Sequence, residues 1–98
     1  MATFITLVNL TEQGVKDFKA TPERAEKFKA AAQKAGVTVK EVYWTMGRYD
    51  AVMILEAADD KTAAAVLVGL VSLGNVKTQT LRAFNAAEMK EIISRTAK

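Results

Sequence analysis

The stretch TMGRYDAVMILEA, residues 45–57, decides the fold because a tight polar turn opens there onto a strand with no polar face. Residues 47–50, Gly-Arg-Tyr-Asp, predict the turn, and residues 50–56 predict the strand. Successive side chains of a strand point to opposite faces of its sheet. Both faces of this strand are therefore apolar, with Ala51, Met53 and Leu55 on one and Val52 and Ile54 on the other.

The flanking sequence predicts three further strands, at residues 3–9, 37–46 and 76–84. A short helical turn after the first strand is capped by Thr11, carries Val15 and Phe18, and is expected to end before Pro22. The segment 37–46 and the strand 50–56 then form a hairpin across the Gly47 turn.

Capping residues mark three longer helices. The first begins with a Thr21 hydroxyl cap before Pro22 and stops at Gly36, where a left-handed residue suits glycine. The second is capped by Asp59-Asp60 and ends at Gly74-Asn75, and the third runs from a capping box of Asn85 and Glu88 towards Ser94.

The order strand, helix, strand, strand, helix, strand predicts an α+β protein with a four-stranded antiparallel sheet. We expect a ferredoxin-like βαββαβ sandwich with an extra C-terminal helix, forming a single domain over residues 1–98. Right-handed crossovers place strands one and three in the centre of the sheet. Charged residues on strands two and four, such as Lys40 and Arg82, suit edge positions.

The second face of this sheet has no cover in such a sandwich, because its two crossover helices lie on one side. Because both faces of the central strands are apolar, the uncovered face would be an exposed patch of several hundred Å2, more than monomers usually tolerate. The C-terminal helix can hide part of this patch, and a second copy packed sheet to sheet can hide more. We therefore predict an obligate homo-oligomer, at least a dimer.

Composition excludes several kinds of chemistry. The chain has no cysteine and no histidine, so disulfides, thiolate nucleophiles and imidazole bases are absent. The net charge of +3 comes from interspersed acids and bases, which argues against nucleic acid as a partner. No segment resembles a signal peptide or a membrane span, which predicts a cytoplasmic location. We predict no metal or cofactor, since Asp59-Asp60 is better explained as a helix cap.

Polar and aromatic side chains on the strands are the candidate ligand contacts. Tyr43 and Trp44 point to opposite faces of strand two, and Tyr43 is expected to share its face with Val39 and Thr45. Arg82 lies in phase with two threonines and can hold a carboxylate or serve as an ordinary edge residue. Asp50 either accepts hydrogen bonds from turn amides or orients Arg48 or Arg82. The candidates are Thr6, Asn9, Tyr43, Trp44, Tyr49, Asp50, Thr78, Thr80 and Arg82.

Two stretches, VYWTMGRYDAVMILEAADD and LGNVKTQTLRAF, together with the N-terminal MATFITLVNLTEQG, resemble the GYD domain family. The Gly-Tyr-Asp signature of that family is here Gly47-Arg48-Tyr49-Asp50. The family is similar to the dimeric α+β barrel superfamily, in which two ferredoxin-like sheets close a barrel. The resemblance implies the fold and a dimer, and it implies no defined activity.

The turn, the strand, the acid-capped helix and LGNV also resemble the effector domain of Lrp/AsnC transcription regulators, which implies small-molecule sensing without a DNA-binding helix. Three functions stay open on the sequence. The protein is a non-catalytic small-molecule-binding or structural oligomer, an accessory protein whose outer helices bind a partner, or a cofactor-independent monooxygenase or isomerase. The small ligand would be apolar or a carboxylate, and Asn9, Tyr43, Trp44 and Arg82 would serve an enzyme.

Overall fold

The computed structural model describes residues 1–96 and has the predicted ferredoxin-like architecture. Its strands are β1 (Ala2–Leu10), β2 (Val37–Trp44), β3 (Ala51–Ala57) and β4 (Val76–Ala83). Its helices are α1 (Glu12–Lys16), α2 (Thr21–Lys34), α3 (Asp60–Val71) and α4 (Ala86–Ser94), and a 3-10 turn (Phe18–Ala20) precedes α2. Val15 and Phe18, expected on one helical turn, therefore lie on two separate ones.

All strand pairs are antiparallel, and the order across the sheet is β2-β3-β1-β4. The two strands without a polar face are thus central, and the strands with the charged side chains are at the edges, as predicted. Paired residues show which side chains share a face: Phe4 is opposite Leu55 and Arg82, whereas Leu7 is opposite Val52 and Gln79.

Helix ends follow the predicted chemistry in most places. Thr11 and Asp59 accept the expected capping hydrogen bonds, and Asn85 with Glu88 forms a complete capping box. Gly36 has a φ of +90°, which suits glycine after a helix. The predicted Thr21 hydroxyl cap is wrong, because the preceding 3-10 turn makes Ala20 the N-cap and places Thr21 inside α2.

β2 contains an irregularity that changes the faces of its second half. Val39 is opposite Leu55, but Glu41 is opposite Ile54, so Lys40 is an extra residue of a β-bulge. The prediction that Tyr43 shares a face with Val39 is therefore wrong. The strand also ends at Trp44 instead of residue 46, and the Met46 side chain beyond it is 98% exposed.

The core lies between the sheet and the inner faces of α2 and α3. It is built from alternate strand residues and from small helix residues: Phe4, Val8, Ala32, Val37, Val39, Ala51, Met53, Leu55, Ala57, Ala63 and Leu67. Thr6 is fully buried among them, and its hydroxyl is 2.9 Å from the Thr80 hydroxyl, so the buried oxygen is satisfied.

The opposite face of the sheet, here called the open face, carries Ile5, Leu7, Tyr43, Val52, Ile54 and Leu81. α4 has few contacts with the rest of the chain, and Met89 and Ile93 on it are 47% and 56% exposed. The helix that we expected to hide part of the open face is therefore itself an exposed apolar element. Across residues 1–96, none of the helices is both long and apolar enough to cross a membrane.

Candidate functional site

The Gly47 turn is anchored to the end of β1 by hydrogen bonds from both its backbone and its side chains. The Asp50 amide donates to the Val8 carbonyl at 2.8 Å, and the Asn9 side-chain amide donates to the Arg48 carbonyl at 2.8 Å. Gly47 has a φ of +103°, which explains the glycine at this position. The turn is thus a rigid end of the sheet.

Asp50 has a structural partner that differs from the predicted ones. Its carboxylate oxygen Oδ2 accepts a hydrogen bond from the Leu10 amide at 2.8 Å, so it bridges to β1 instead of closing its own turn. Ion pairs identified among residues 1–96 include neither Arg48 nor Arg82 as a partner of Asp50. The contact to Leu10 is a structural role for Asp50, and the alternative in which it orients Arg48 or Arg82 near a ligand stays a prediction.

The candidate ligand contacts separate into two groups. The register places Asn9 and Tyr43 on the open face, and the Tyr49 hydroxyl reaches the Gln79 amide oxygen on that face at 3.4 Å. The other strand candidates lie on the side covered by α2 and α3: Thr6, Trp44, Thr78, Thr80 and Arg82. Within one chain, the four residues considered for an enzyme do not converge.

Arg82 lies in phase with Thr78 and Thr80, as predicted, and the three line a pocket of about 580 Å3 between α3 and β4. The guanidinium carbon is 4.5 Å from the centre of the Phe84 ring and 5.5 Å from that of Phe4. Arg82 also donates to the Thr3 carbonyl at 3.3 Å. These contacts hold the guanidinium against aromatic faces.

A larger cleft of about 900 Å3 lies between α2 and α3, with the sheet as its floor. Trp44, Val42 and Met53 contribute to the floor, and apolar side chains of both helices form the walls. Trp44 and Asp50 are candidates from the sequence that line this cleft, but the residues of its helical walls were not among the candidates. The available signal is the row of alanines on α2, at positions 25, 31 and 32.

Two side chains have shifted pKa values, and they do not share a site. Glu41 raises the pKa of the Tyr43 phenol above its ordinary value of 10.0, first by hydrogen bonding and then through its charge. Hydrogen bonds from Thr62 lower the pKa of the Asp59 carboxyl below its ordinary value of 3.8. The first group is on the open face and the second caps α3. In the part of the chain that the structure describes, carboxylates form no cluster of three that could hold a metal ion.

Fold and site together define a class: a small ferredoxin-like α+β protein with an apolar open face, an apolar cleft and no convergent acid-base group in residues 1–96. The GYD domain family model matches residues 4–93. The chain therefore belongs to the GYD domain family, as the resemblance of its turn and strands implied.

Known relatives agree with this assignment. A protein of Thermus thermophilus, named "Glutamine synthetase and cystathionine beta-lyase binding protein", is 38% identical over 90 residues. The alignment covers 91% of this chain and 95% of that protein. A crystal structure of a protein from the same species is similar with a TM-score of 0.58 and 28% identity, covering 88% of this chain and 96% of the other. The solved relative has the same fold.

Proposed function

We propose that this protein is a non-catalytic accessory module that self-associates through its open face and binds a metabolic enzyme. The observation that carries the proposal is the exposure of apolar side chains on two surfaces: Tyr43 and Leu81 on the open face, which flank a half-buried apolar strip, and Met89 and Ile93 on α4. The relative named as a binding protein for glutamine synthetase and cystathionine β-lyase suggests the kind of partner. Partners of that kind would place the protein in the cytoplasm.

Self-association is supported by the central strands. Ile5 and Leu7 of β1 lie opposite Ile54 and Val52 of β3, which gives a continuous apolar strip in the middle of the open face. Burying about 500 Å2 of such surface corresponds to roughly 12 kcal/mol before the cost of association. A second copy offers the same strip, so a two-fold sheet-to-sheet contact is self-complementary.

The oligomer is tested by placing a charge in this strip. Ile54→Asp should convert the protein to a folded monomer at micromolar concentration, measured by size-exclusion chromatography with light scattering and by circular dichroism. Val68→Asp is the matched control, because Val68 is 68% exposed on α3, away from the open face. A wild-type protein that is already monomeric would contradict the proposal.

Enzyme binding is assigned to α4, whose apolar side chains are exposed and whose capping box fixes its start. An amphipathic helix can lay its apolar face into a groove of a partner. At 3.6 residues per turn, Ala87 lies about 120° around α4 from Ile93 and about 160° from Met89, so it is off the apolar face. Ile93→Asp should therefore reduce binding at least tenfold, and Ala87→Asp should leave it unchanged.

The measurement is isothermal titration of each variant against glutamine synthetase and, separately, cystathionine β-lyase from the same organism. If the wild type binds an enzyme and Ile93→Asp binds it with the same affinity, the contact does not involve the apolar face of α4. Absence of binding to both enzymes by the wild type would contradict the accessory role. The alternative of a cofactor-independent monooxygenase or isomerase has less support, because its four candidate residues lie on both faces of the sheet.

A further inference from the structure

We propose that the cleft between α2 and α3 binds an aliphatic carboxylate, a molecule with the chemistry of a medium-chain fatty acid. The cleft is on the helix side of the sheet, so this inference does not rest on self-association or on the enzyme partner. Its volume of about 900 Å3 lies within the range of roughly 300–1,000 Å3 that is usual for ligand sites.

The shape of the cleft suits an elongated molecule. α2 and α3 approach each other at one end, where a Cβ built on Gly36 would lie 3.7 Å from the Thr62 methyl group. From Lys34, the last residue of α2, to Arg24, the wall formed by α2 is about 15 Å long at a rise of 1.5 Å per residue. Trp44 and Leu73 also line the cleft.

Small side chains create the space between the two helices. They are Ala25, Ala31 and Ala32 on α2 and Ala35 at its C-cap, with Ala65 and Gly69 on α3. Water in such a space would find few hydrogen-bond partners on these walls. An aliphatic chain would instead make dispersion contacts with both walls and with the largely apolar floor, which includes Trp44.

The charges around the cleft select an anionic head group. Arg24, Lys27 and Lys61 line it, and the only carboxylate among the lining residues is Asp50, which accepts the hydrogen bond from the Leu10 amide. Arg24 and Lys27 have acidic partners at 3.3 and 3.5 Å. Those partners, Asp17 and Glu23, are mostly exposed, so a ligand carboxylate can compete with them.

Trp44 gives this site its own probe, because it is the single tryptophan of the chain and lines the cleft. Titration of the full-length protein with decanoate should shift the Trp44 emission to shorter wavelength and should saturate. Decan-1-ol, with the same chain and no charge, should bind at least tenfold more weakly. Absence of a saturable shift with decanoate, or equal affinity for the alcohol, would overturn the proposal.

Filling the cleft should remove the site without damaging the fold. Gly69→Leu adds a side chain where nothing lies within 4 Å of the new Cβ, and leucine is the better helix former. This variant should melt no lower than the wild type and lose decanoate binding. Ala30→Leu, at an exposed α2 position that does not line the cleft, should bind normally. Ala65→Leu is the second filling variant if Gly69→Leu fails to fold, and normal binding by the folded variant would overturn the proposal.

The head-group contact is tested by Lys27→Gln, with Lys29→Gln as the control that lies outside the cleft. Lys27→Gln should weaken decanoate binding several-fold and leave decan-1-ol binding unchanged, whereas Lys61→Gln, at the other end of the cleft beside Thr62, should change neither. A second copy of the chain is the competing occupant. If Trp44 emission changes with protein concentration, and Gly69→Leu lowers the mass measured by light scattering, the cleft is a protein interface and the ligand proposal is wrong.

Discussion

Asp50 joins β1 to the hairpin of β2 and β3 through two hydrogen bonds and closes the hairpin with a third. Its carboxylate accepts from the Leu10 amide at 2.8 Å, its amide donates to Val8, and its carbonyl accepts from Thr45. Asp50→Ala leaves the partly buried Leu10 amide without its acceptor, which should lower the free energy of unfolding by about 1–3 kcal/mol. Asp50→Asn keeps an acceptor oxygen and should cost roughly half as much. Urea denaturation measures both.

The control for this prediction is Glu26→Ala, which removes an exposed carboxylate from α2. Its effect should stay within about 0.5 kcal/mol. If Asp50→Ala unfolds with the midpoint of the wild type, the hydrogen bond to Leu10 does not stabilise the fold, and a ligand-contact role for Asp50 becomes the better explanation.

Gly14 and Gly69 are both helical glycines with opposite surroundings. A Cβ on Gly14 would lie 2.1 Å from the Asn75 carbonyl oxygen, whereas one on Gly69 meets nothing within 4 Å. Gly14→Ala should therefore destabilise by about 1–3 kcal/mol through overpacking. Gly69→Ala should stabilise by up to about 1 kcal/mol through helix propensity. Thermal unfolding of both variants measures the two stability changes. If the melting temperatures of Gly14→Ala and Gly69→Ala change in the same direction, the prediction is wrong.

Lys40 shows why single residues limit prediction from sequence. In the sequence VTVKEVYW, apolar and polar residues alternate from Val37 to Lys40, and a second charged residue, Glu41, interrupts the alternation where the extra residue lies. The prediction treated the strand as regular and did not use this signal, so it placed Tyr43 on the face of Val39, whereas the bulge moves it to the opposite face. The partner of the Asp50 carboxylate was missed for a different reason, because Leu10 is 40 residues away in the chain and only the tertiary fold brings it close.

Among the elements, α3 offers a prediction that depends on pH. Hydrogen bonds from Thr62, first from its amide, lower the pKa of the Asp59 carboxyl below 3.8. A group whose pKa is lower in the folded state contributes stability above its unfolded pKa, and this contribution is lost as the pH falls through the folded value. The stability difference between wild type and Asp59→Asn should therefore be largest near neutral pH and should shrink below pH 3.8.

Urea midpoints measured across this acid range test the prediction. Asp60→Asn is the control, since it removes the adjacent carboxylate but not the capping hydrogen bond to the Thr62 amide. A difference between wild type and Asp59→Asn that stays constant with pH would show that the Asp59 charge does not stabilise α3.

Element boundaries were predictable where a local signal sets them. The capping box of α4, the Asp59 cap and Gly36 are all read from a few neighbouring residues, and the structure confirms them. The start of α2 was not predictable from Thr21 and Pro22 alone, because the preceding 3-10 turn already continues into the helix. Thr21 and Pro22 are at the start of α2, but the 3-10 turn before them makes Ala20 the N-cap and places Thr21 inside the helix.

At the scale of the whole molecule, the sequence predicted the strand order and the apolar open face, because apolar residues on both faces of β1 and β3 and charges on β2 and β4 are local patterns. The α2–α3 cleft was not predictable, since it depends on how far apart two helices of small residues come to lie. The place of α4 was also missed. Its apolar stripe indicates that it needs a partner surface, but the sequence does not say whether that surface is in the same chain.

The elongated shape of the chain provides the last prediction. Its radius of gyration is 14.9 Å, against about 13 Å for a compact domain of ~100 residues. α4 extends this shape while contributing few contacts, so a chain ending after Asn85 should keep its fold. Its melting temperature should fall by less than about 4 °C, the shift that roughly 1 kcal/mol produces in a domain of this size.

The comparison variant is Leu55→Ala, which removes side-chain atoms from a fully buried position of the core. It should lower the free energy of unfolding by about 2–5 kcal/mol. If the shortened chain melts as low as Leu55→Ala, then α4 is part of the folded core, and its exposed face cannot be free to bind an enzyme.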